Sequence, residues 1–191
     1  MSPRTEEQYE EIRETRKSAI KKVALELFAT EGFYATSISM ISKKAGISKG
    51  LMYNYYESKE DLLKEIFREG IQKITALIDP DNDGVLTRRE FRYMIDETFR
   101  MISENRIFWS LYFSIIPQPG VLKIVKEEIT NIYKEVYGIL TGYFTSAGYP
   151  EPETEAMIFG SMLDGISMNY LLNPDFYPLQ KVRDRLIEIY C

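Results

Sequence analysis

Acidic side chains are concentrated in one short stretch of the chain, DPDNDGVLTRRE at residues 79–90. Acidic residues stand at its first, third, fifth and twelfth positions and a glycine stands at its sixth. This spacing is typical of a calcium-binding EF-hand loop. The predicted oxygen ligands are the side chains of Asp79, Asp81, Asp83 and Glu90 and the main-chain carbonyl of Val85. The stretch therefore predicts a calcium site, with calcium as an ion that the protein can bind but does not require.

The same stretch also fits a simpler structural role. DNDG is typical of a tight turn, and Thr87 followed three residues later by Glu90 is a capping box that starts a helix. Pro80 restricts the backbone of Asp79, and the sequence contains no second loop of this kind to pair with the first. A turn and a cap do not, however, require acids at positions 79 and 81, so both interpretations stay open.

The segments on either side of this stretch carry apolar residues at helical spacing. The same periodicity recurs along most of the chain, whereas alternating apolar runs typical of strands are hard to find. The chain is therefore predicted to be all-α. The predicted helices lie near residues 20–31, 37–44, 49–56, 58–78, 87–102, 107–116, 121–148, 153–172 and 178–190.

Composition excludes several classes of protein. The 191 residues are 45% hydrophobic and 28% charged, which is typical of a globular chain with one or two cores. No run approaches the roughly 18 consecutive apolar residues of a membrane span, and the charged start MSPRTEEQYEEIRETRK lacks the apolar core of a signal peptide. We therefore expect a soluble cytoplasmic protein without a membrane partner.

The sequence lacks several residues and motifs that enzymes commonly use. Histidine is absent and the one cysteine is Cys191, so the commonest general base, His-dependent zinc sites and the Ser-His and Cys-His nucleophile pairs are all missing. No nucleophile elbow, phosphate-binding loop or dinucleotide fingerprint occurs either. We predict that the protein is not an enzyme and requires no cofactor.

The net charge of −5 is unevenly distributed along the chain. Residues 32–56 contain no acidic residue but carry Lys43, Lys44 and Lys49. A basic surface is therefore confined to this segment, and such a surface suits the phosphates of nucleic acid.

The acid-free segment also has the layout of a helix-turn-helix, because two short predicted helices are separated by AGIS. Gly46 permits the tight bend between them. The apolar residues that can pack the small core are Ile38, Ile41, Ala45, Ile47 and Met52. The residues left for solvent or DNA are Ser37, Ser39, Ser48, Lys49, Tyr53, Asn54 and Tyr55.

A wider pattern surrounds this motif. An apolar-rich first helix is followed by GF and T before the second helix, by AGISKG at the turn, by YNYY and by SKEDLL. With these pieces, residues 16–66 resemble the N-terminal domain of the TetR family of bacterial transcriptional repressors. The remaining residues match only as a helical bundle of the expected size. The resemblance implies a helix-turn-helix DNA-binding domain at 1–66 and an effector-binding and dimerisation domain at 67–191.

The resemblance implies that the helix at 48–55 is the recognition helix, which enters the DNA major groove. Lys49 would donate to a base edge or a phosphate, and Asn54 would reach a base edge. The hydroxyls of Tyr53 and Tyr55 would contact phosphates. We predict that Lys49→Ala weakens DNA binding.

Further predicted DNA contacts lie outside the recognition helix or in its backbone. Thr36, Ser37 and the start of the second helix would hold a phosphate, Lys59 would contact another, and Gly50 would let the backbone approach DNA closely. The complete predicted DNA-binding set is Thr36, Ser37, Ser39, Ser48, Lys49, Gly50, Tyr53, Asn54, Tyr55 and Lys59.

For the rest of the chain the resemblance implies an effector pocket and a symmetric dimer. The predicted pocket residues are Phe91, Met94, Phe108, Trp109, Tyr112, Tyr133, Tyr137 and Met162. The predicted dimer residues, in the last two helices, are Met157, Gly160, Leu163, Val182, Leu186 and Ile189. An unidentified small molecule in the bundle would shift the fourth helix, change the spacing of the two recognition helices and lower operator affinity.

Two functions from different classes are therefore compatible with the sequence. The first is a transcriptional regulator, a repressor released from operator DNA by a small-molecule effector. The second is an EF-hand-type calcium-binding protein whose bundle recruits protein partners, or a regulator modulated by calcium. The helix-turn-helix pattern within the acid-free segment favours the first, although calcium binding and DNA binding could coexist.

Overall fold

The computed structural model describes residues 5–81 and 83–191, and within these ranges the chain forms ten α-helices and no β-strand. The helices are α1 (Glu6–Thr30), α2 (Ile38–Lys44), α3 (Lys49–Tyr53), α4 (Lys59–Ile78), α5 (Arg88–Glu104), α6 (Arg106–Ile115), α7 (Val121–Ile124), α8 (Lys126–Ser146), α9 (Pro152–Leu172) and α10 (Leu179–Tyr190). The all-α prediction is confirmed. Across the described residues, no helix combines the length and the apolarity that a membrane span needs.

Several helices begin where the sequence places a capping side chain. The hydroxyls of Ser37, Ser48 and Ser58 accept hydrogen bonds from the backbone N–H groups of Met40, Leu51 and Asp61, at 3.2, 3.1 and 3.0 Å. Each bond satisfies a donor that has no partner within its own helix. Thr87 and Glu90 form the predicted capping box at the start of α5.

One predicted helix is divided in the structure. The sequence predicts a single helix over 121–148, but α7 ends at Ile124. Its C-cap residue, Val125, has φ of −101° and ψ of 12°, and α8 begins at Lys126. Val121 and Val125 are both fully buried. Burial of both valines holds α7 in the first of two compact units, whereas α8 belongs to the second.

The helices form two compact units. The first comprises residues 5–68 and 114–125, and the second comprises 69–113 and 126–191. The predicted division at residue 66 lies two residues before the first boundary of this packing, and it leaves out residues 114–125, which we call the strap. The strap packs with the first unit because Gln118 forms hydrogen bonds with the backbone of Phe28 and Phe33.

The first unit buries one apolar face of α1 against the apolar residues of the short helices. In α1 the buried residues are Ile20, Ala24, Leu25, Leu27 and Phe28. Ile41 of α2 and Met52 of α3 are completely buried. These contacts leave the polar sides of α2 and α3 facing solvent.

The second unit has a core rich in aromatic residues. In α5 the buried residues recur at helical spacing, as Phe91, Met94, Ile95, Phe99 and Ile102. Phe91 lies at the centre, with its ring stacked on Tyr143 at 4.0 Å and tilted against Phe159 at 4.8 Å. Helices α8, α9 and α10 supply most of the remaining core side chains.

Candidate nucleic-acid interface

The turn between α2 and α3 has the backbone geometry that a helix-turn-helix requires. The N–H of Ala45 donates to the carbonyl of Ile41 at 2.8 Å and ends α2, and the N–H of Ile47 donates to the carbonyl of Ser42 at 3.0 Å. Between them Gly46 adopts φ of +69°, a left-handed conformation that favours glycine. The predicted role of Gly46 in the bend is confirmed by this geometry.

Most of the predicted DNA-binding side chains are exposed on this motif. Lys49 and Asn54 are exposed, Tyr53 is 50% exposed, and Tyr55 is half-buried. Lys49 and Tyr53 stand four residues apart and therefore share one side of α3. The arrangement presents an ammonium group and a phenol together to solvent.

The predicted serines and Gly50 also lie at the surface. Ser37, Ser39, Ser48 and Gly50 are exposed, and the hydroxyls of the two capping serines retain a donor for a phosphate, because each accepts from a backbone N–H. A methyl group added at Gly50 would meet no atom of the protein within 4 Å. Internal packing therefore does not require glycine at this position.

Thr36 does not belong to this surface, and its predicted DNA contact is wrong. The residue is 1% exposed, and its hydroxyl lies 3.2 Å from the carbonyl oxygen of Leu27 and 2.9 Å from that of Gly32. By donating within the protein, the hydroxyl joins the end of α1 to the following turn. Thr36 thus stabilises the turn from within.

The side chain of Lys59 forms hydrogen bonds with the backbone of the same turn. Its ammonium nitrogen donates to the carbonyl oxygens of Phe33, Tyr34 and Thr36, at 2.9, 3.2 and 3.0 Å. The same nitrogen lies 4.6 Å from the centre of the Phe33 ring, a distance at which a cation is attracted to an aromatic face. An ammonium group has three donors, so Lys59 uses its full donor capacity on the protein, and its contact with DNA stays a prediction.

Tyr34 is a further exposed residue that the sequence prediction omitted. Its side chain is 63% exposed, and it belongs to the turn that Lys59 holds. The adjacent GF pair marked this turn in the sequence, but nothing in the pattern indicated which of its aromatic rings would be buried. Phe33 is buried and Tyr34 is exposed.

The acidic loop brings three of its predicted ligands together. Carboxylate oxygens of Asp79, Asp81 and Asp83 all lie within 4.8 Å of one another. Asp79 accepts hydrogen bonds from the N–H groups of Asp83 and Gly84, at 3.0 and 2.9 Å. Partial desolvation, followed by the charges of Asp83 and Glu90, raises the pKa of Asp81. Residue 82 of this loop lies outside the described residues.

Glu90 does not complete this cluster. Its Oε2 accepts from the N–H of Thr87 at 2.9 Å, and hydrogen bonds from Thr87 lower the pKa of the Glu90 carboxyl. Glu90 therefore caps α5, as the simpler interpretation of the sequence predicts, and Val85 is exposed. The structure shows the turn and the cap, together with an additional convergence of three aspartates.

The predicted effector residues separate into different environments. Phe91 and Met94 lie inside the core of the second unit, with Met162 packed at its edge. Phe108, Trp109 and Tyr112 form a separate aromatic cluster along α6, with the Trp109 ring 5.0 and 5.4 Å from its two neighbours. Tyr133 and Tyr137 pair on α8 at 5.5 Å.

Two features of the α6 cluster are unusual. The indole Nε1 of Trp109 is buried and has no hydrogen-bond partner in the part of the chain that the structure describes, although buried donors are normally paired. Tyr112 packs so closely on Gly70 of α4 that a Cβ there would lie 2.4 Å from its ring. Burial is the main cause that raises the pKa of the Tyr112 phenol.

A cleft of about 390 Å³ opens at the surface between α5 and α10. Its lining is mostly charged and consists of Arg92, Asp96, Glu97, Phe99, Arg100, Ser103, Gln180 and Arg183. Asp96 lies between Arg92 and Arg183, and Arg100 pairs with Glu97 and Glu104. This cleft contains none of the predicted effector residues, so the apolar effector pocket stays a prediction.

The predicted dimer residues point in different directions. Met157 and Ile189 are exposed, but Leu186 is 5% exposed and belongs to the protomer's own core, so its predicted place in an interface is wrong. A Cβ at Gly160 would lie 2.6 Å from the Tyr137 hydroxyl, and Gly160 thus accommodates a neighbour in its own chain.

Leu163 and Val182 are partly buried against that same core. Further exposed apolar side chains in this part of the chain are Ile158, Met168, Leu172 and Phe176. Met157, Met168 and Leu172 share one side of α9, because they are separated by multiples of three to four residues.

The chain is similar to known bacterial transcriptional regulators. Residues 20–66 match the family described as bacterial regulatory proteins, tetR family. The chain is 29% identical over 182 residues to the HTH-type transcriptional regulator BetI of Vibrio campbellii, covering 89% of this chain and 87% of that protein. It is 24% identical over 178 residues to the fatty acid metabolism regulator protein of Bacillus subtilis, covering 87% of this chain and 89% of that protein.

A solved structure shares the fold. The transcriptional regulator FadR from Bacillus subtilis, in complex with stearoyl-CoA, aligns with a TM-score of 0.69 at 20% sequence identity, over 91% of this chain and 96% of that chain. The likeness covers the helix-turn-helix region and the helical bundle alike.

Proposed function

We propose a repressor mechanism for this protein, which belongs to the TetR family of bacterial transcriptional regulators, as its sequence predicts. Members of this family are regulators and not enzymes, and the prediction of no enzymatic activity is confirmed by the relatives. In the proposed mechanism the protein binds operator DNA and blocks transcription until an effector releases it. A bacterial repressor acts where the DNA lies, so we propose the cytoplasm as its location.

The observation that carries the DNA-binding proposal is the exposed polar side of the helix-turn-helix. Lys49 and Tyr53 of α3 and its C-cap residue, Asn54, are exposed, in a segment without an acidic residue. A recognition helix needs this combination, because phosphates attract the ammonium group while amide and phenol groups form hydrogen bonds with bases and phosphates.

Replacement of Lys49 by alanine tests the proposal. We expect operator affinity to fall by about tenfold, and the slope of log affinity against log salt to fall by about 1 if the ammonium contacts a phosphate. Thermal stability should not change, because the side chain is exposed. The measurement is fluorescence anisotropy with a duplex that the wild-type protein selects from a random-sequence library.

Lys134→Ala provides the matched control. Lys134 is an exposed lysine on α8, so this variant changes the net charge equally without altering α3. Equal affinity and equal salt slope in the wild type and in Lys49→Ala would remove Lys49 from the interface.

We propose that the effector is a small molecule with a large apolar portion and at least one hydrogen-bond acceptor. The α6 cluster supports this chemistry, since its aromatic rings favour apolar groups and the buried Nε1 of Trp109 has no acceptor among the described residues. The related FadR structure contains stearoyl-CoA. Stearoyl-CoA is therefore a rational first probe for this chain, and release of DNA on its addition would support the proposal.

We also propose that the protein acts as a homodimer with two-fold symmetry. Support comes from the exposed apolar side of α9, where Met157, Met168 and Leu172 would otherwise contact water. Two copies joined through α9 and α10 would present two recognition helices to the half-sites of a near-palindrome.

Met168→Lys tests the dimer. Met168 is 42% exposed and Ile107, on α6, is 76% exposed, so Ile107→Lys introduces the same charge at an exposed apolar position outside the proposed interface. Light scattering should give the mass of a dimer for the wild type and for Ile107→Lys, and a lower average mass for Met168→Lys. A wild-type monomer at micromolar concentration would contradict the proposal.

Calcium binding at the acidic loop is a second proposal, favoured by the convergence of Asp79, Asp81 and Asp83. If calcium binds the folded loop, it should raise the melting temperature of the protein. Asp81→Asn should abolish this increase. Asp175→Asn, which changes an exposed aspartate elsewhere in the chain, should leave the increase unchanged. Because the pKa of Asp81 is raised, protons compete with calcium for this carboxylate at a higher pH than they would for an ordinary aspartate. The calcium effect should therefore weaken as the pH falls through that pKa. An identical melting curve with calcium and with chelator would contradict this proposal.

A further inference from the structure

Gln118 lies in the strap, between α6 and α7, and connects two backbone groups that are far from it in sequence. Its Oε1 accepts a hydrogen bond from the N–H of Phe33 at 2.8 Å. Its Nε2 donates to the carbonyl of Phe28, also at 2.8 Å. Both ends of one side-chain amide are therefore used on the segment that joins α1 to α2.

The two backbone groups need a partner that the helix does not supply. Phe28 lies in the last turn of α1, where carbonyl groups have no intrahelical donor. Phe33 follows Gly32, which has φ of +90° and turns the chain away from α1. A single side chain with one donor and one acceptor satisfies both groups, which is the bonding capacity of a glutamine amide.

The strap is held in one position relative to this turn. Gly120 has φ of +76°, and a Cβ at this residue would lie 2.2 Å from the hydroxyl of Tyr34. Both the backbone conformation and the close approach of Tyr34 therefore favour glycine. Val121 and Val125 are fully buried directly after it, so the position of Gln118 is defined by its neighbours on the C-terminal side.

Gln118 and Lys59 act on different groups of the same turn. Lys59 donates to the carbonyls of residues 33, 34 and 36, but an ammonium group has no acceptor. Among the described residues, the N–H of Phe33 donates to Gln118. Lys59 therefore cannot replace Gln118, although both residues hold the segment that leads into α2.

We propose that Gln118 is a positioning residue for DNA binding, and that it acts by holding the 32–36 turn. This turn carries the exposed Tyr34 and leads directly to Ser37, the cap of α2. The inference rests on the proposed DNA-binding function. In this proposal a residue from the middle of the chain sets the geometry of a surface that the N-terminal helices form.

The experiment compares Gln118→Met, Gln118→Glu and the control Gln72→Met. Methionine is close in size but forms neither hydrogen bond, while Gln72 is exposed on α4. In Gln118→Met we expect the amide hydrogen of Phe33 to exchange about tenfold faster, and affinity for the selected duplex to fall by about five- to tenfold. The amide of Ile41, which donates to the carbonyl of Ser37 at 3.1 Å, reports on α2 and should keep its protection.

Gln118→Glu tests whether the two hydrogen bonds of the side chain, and not its volume, hold the turn. A protonated carboxyl group has one donor and one acceptor, as the amide has, whereas the carboxylate has no donor for the carbonyl of Phe28. Affinity of this variant, relative to the wild type at the same pH, should therefore begin to recover as the pH is lowered from about 7.5 towards the pKa of the carboxyl group, which is about 4.3 for a solvated glutamate and higher for a buried one. Gln118→Met should show no such recovery.

The outcomes separate this inference from the function on which it rests. If the wild type selects no duplex, the proposed function fails and the inference fails with it. If the wild type binds and Gln118→Met binds equally well, or if Phe33 keeps its protection in that variant, the inference alone is overturned. A general loss of protection that includes Ile41 would also overturn it, because Gln118 would then support the whole unit and not the turn.

Discussion

Replacing Phe91 by alanine is expected to lower the free energy of unfolding of the second unit by about 4 kcal/mol, near the middle of the range for deleting a buried aromatic side chain. Phe91 is fully buried and contacts aromatic rings on two other helices, Tyr143 and Phe144 on α8 and Phe159 on α9. Alanine would remove the stacking on Tyr143 and leave a cavity among rigid rings, which cannot collapse fully to fill it.

The measurement uses the single tryptophan of the chain. Trp109 lies in the second unit, so its fluorescence during denaturant unfolding reports on that unit, whereas the circular dichroism signal reports on all helices. Tyr93→Ala is the matched control, because Tyr93 is an aromatic residue on the same helix that is 46% exposed. It should cost less than about 0.5 kcal/mol.

The result also decides between two roles for Phe91. As a lining residue of an effector pocket it would be dispensable for folding, and the two variants would behave alike. A large loss in Phe91→Ala alone would assign Phe91 to the core.

Replacing Lys59 by methionine is expected to destabilise the first unit by about 3 kcal/mol and to weaken operator binding by more than about tenfold. Methionine preserves most of the apolar stem but leaves the carbonyls of Phe33, Tyr34 and Thr36 without their shared donor. Hydrogen bonds to charged groups contribute about 1.5–3 kcal/mol each, but three bonds from one nitrogen are not additive. Attraction to the Phe33 ring is lost as well.

Lys49→Met is the control that separates the two effects. Lys49 is exposed on α3, so this variant should lose DNA affinity without losing stability, whereas Lys59→Met should lose both. Circular dichroism melting and duplex titration, performed on the same samples, measure the two quantities. A Lys59→Met protein with wild-type stability and only weaker DNA binding would instead support the direct phosphate contact that the sequence predicts.

Local patterns account for the parts of the fold that were predictable. Apolar periodicity placed the long helices, and Thr87 marked a helix start because a capping hydroxyl acts within three residues of its own position. The division at Val125 was not predictable in this way, because the periodicity of 121–148 continues across it. Burial of Val121 and Val125 is a tertiary effect that overrides local helix propensity.

The candidate DNA surface was predictable where it depends on a short motif and failed where it depends on side-chain direction. The spacing around AGIS located Lys49 and Asn54, which are exposed. It could not show that Thr36 points inward or that Lys59 is held by three carbonyls. Both arrangements depend on the path of the turn that contains Gly32, and no local signal in the sequence identifies a distant partner such as Gln118.

The strap has a consequence for the order in which the protein can mature during synthesis. Residues 5–68 leave the ribosome early, but the first unit also contains 114–125, and Gln118 bonds to residues 85 and 90 positions before it. The amide of Phe33 therefore gains its partner only after much of the second unit has emerged from the exit tunnel. In a nascent chain that ends before Gln118, the N–H of Phe33 and the carbonyl of Phe28 lack this side-chain partner. The turn that leads into α2 therefore completes its hydrogen bonds only after the strap has been translated.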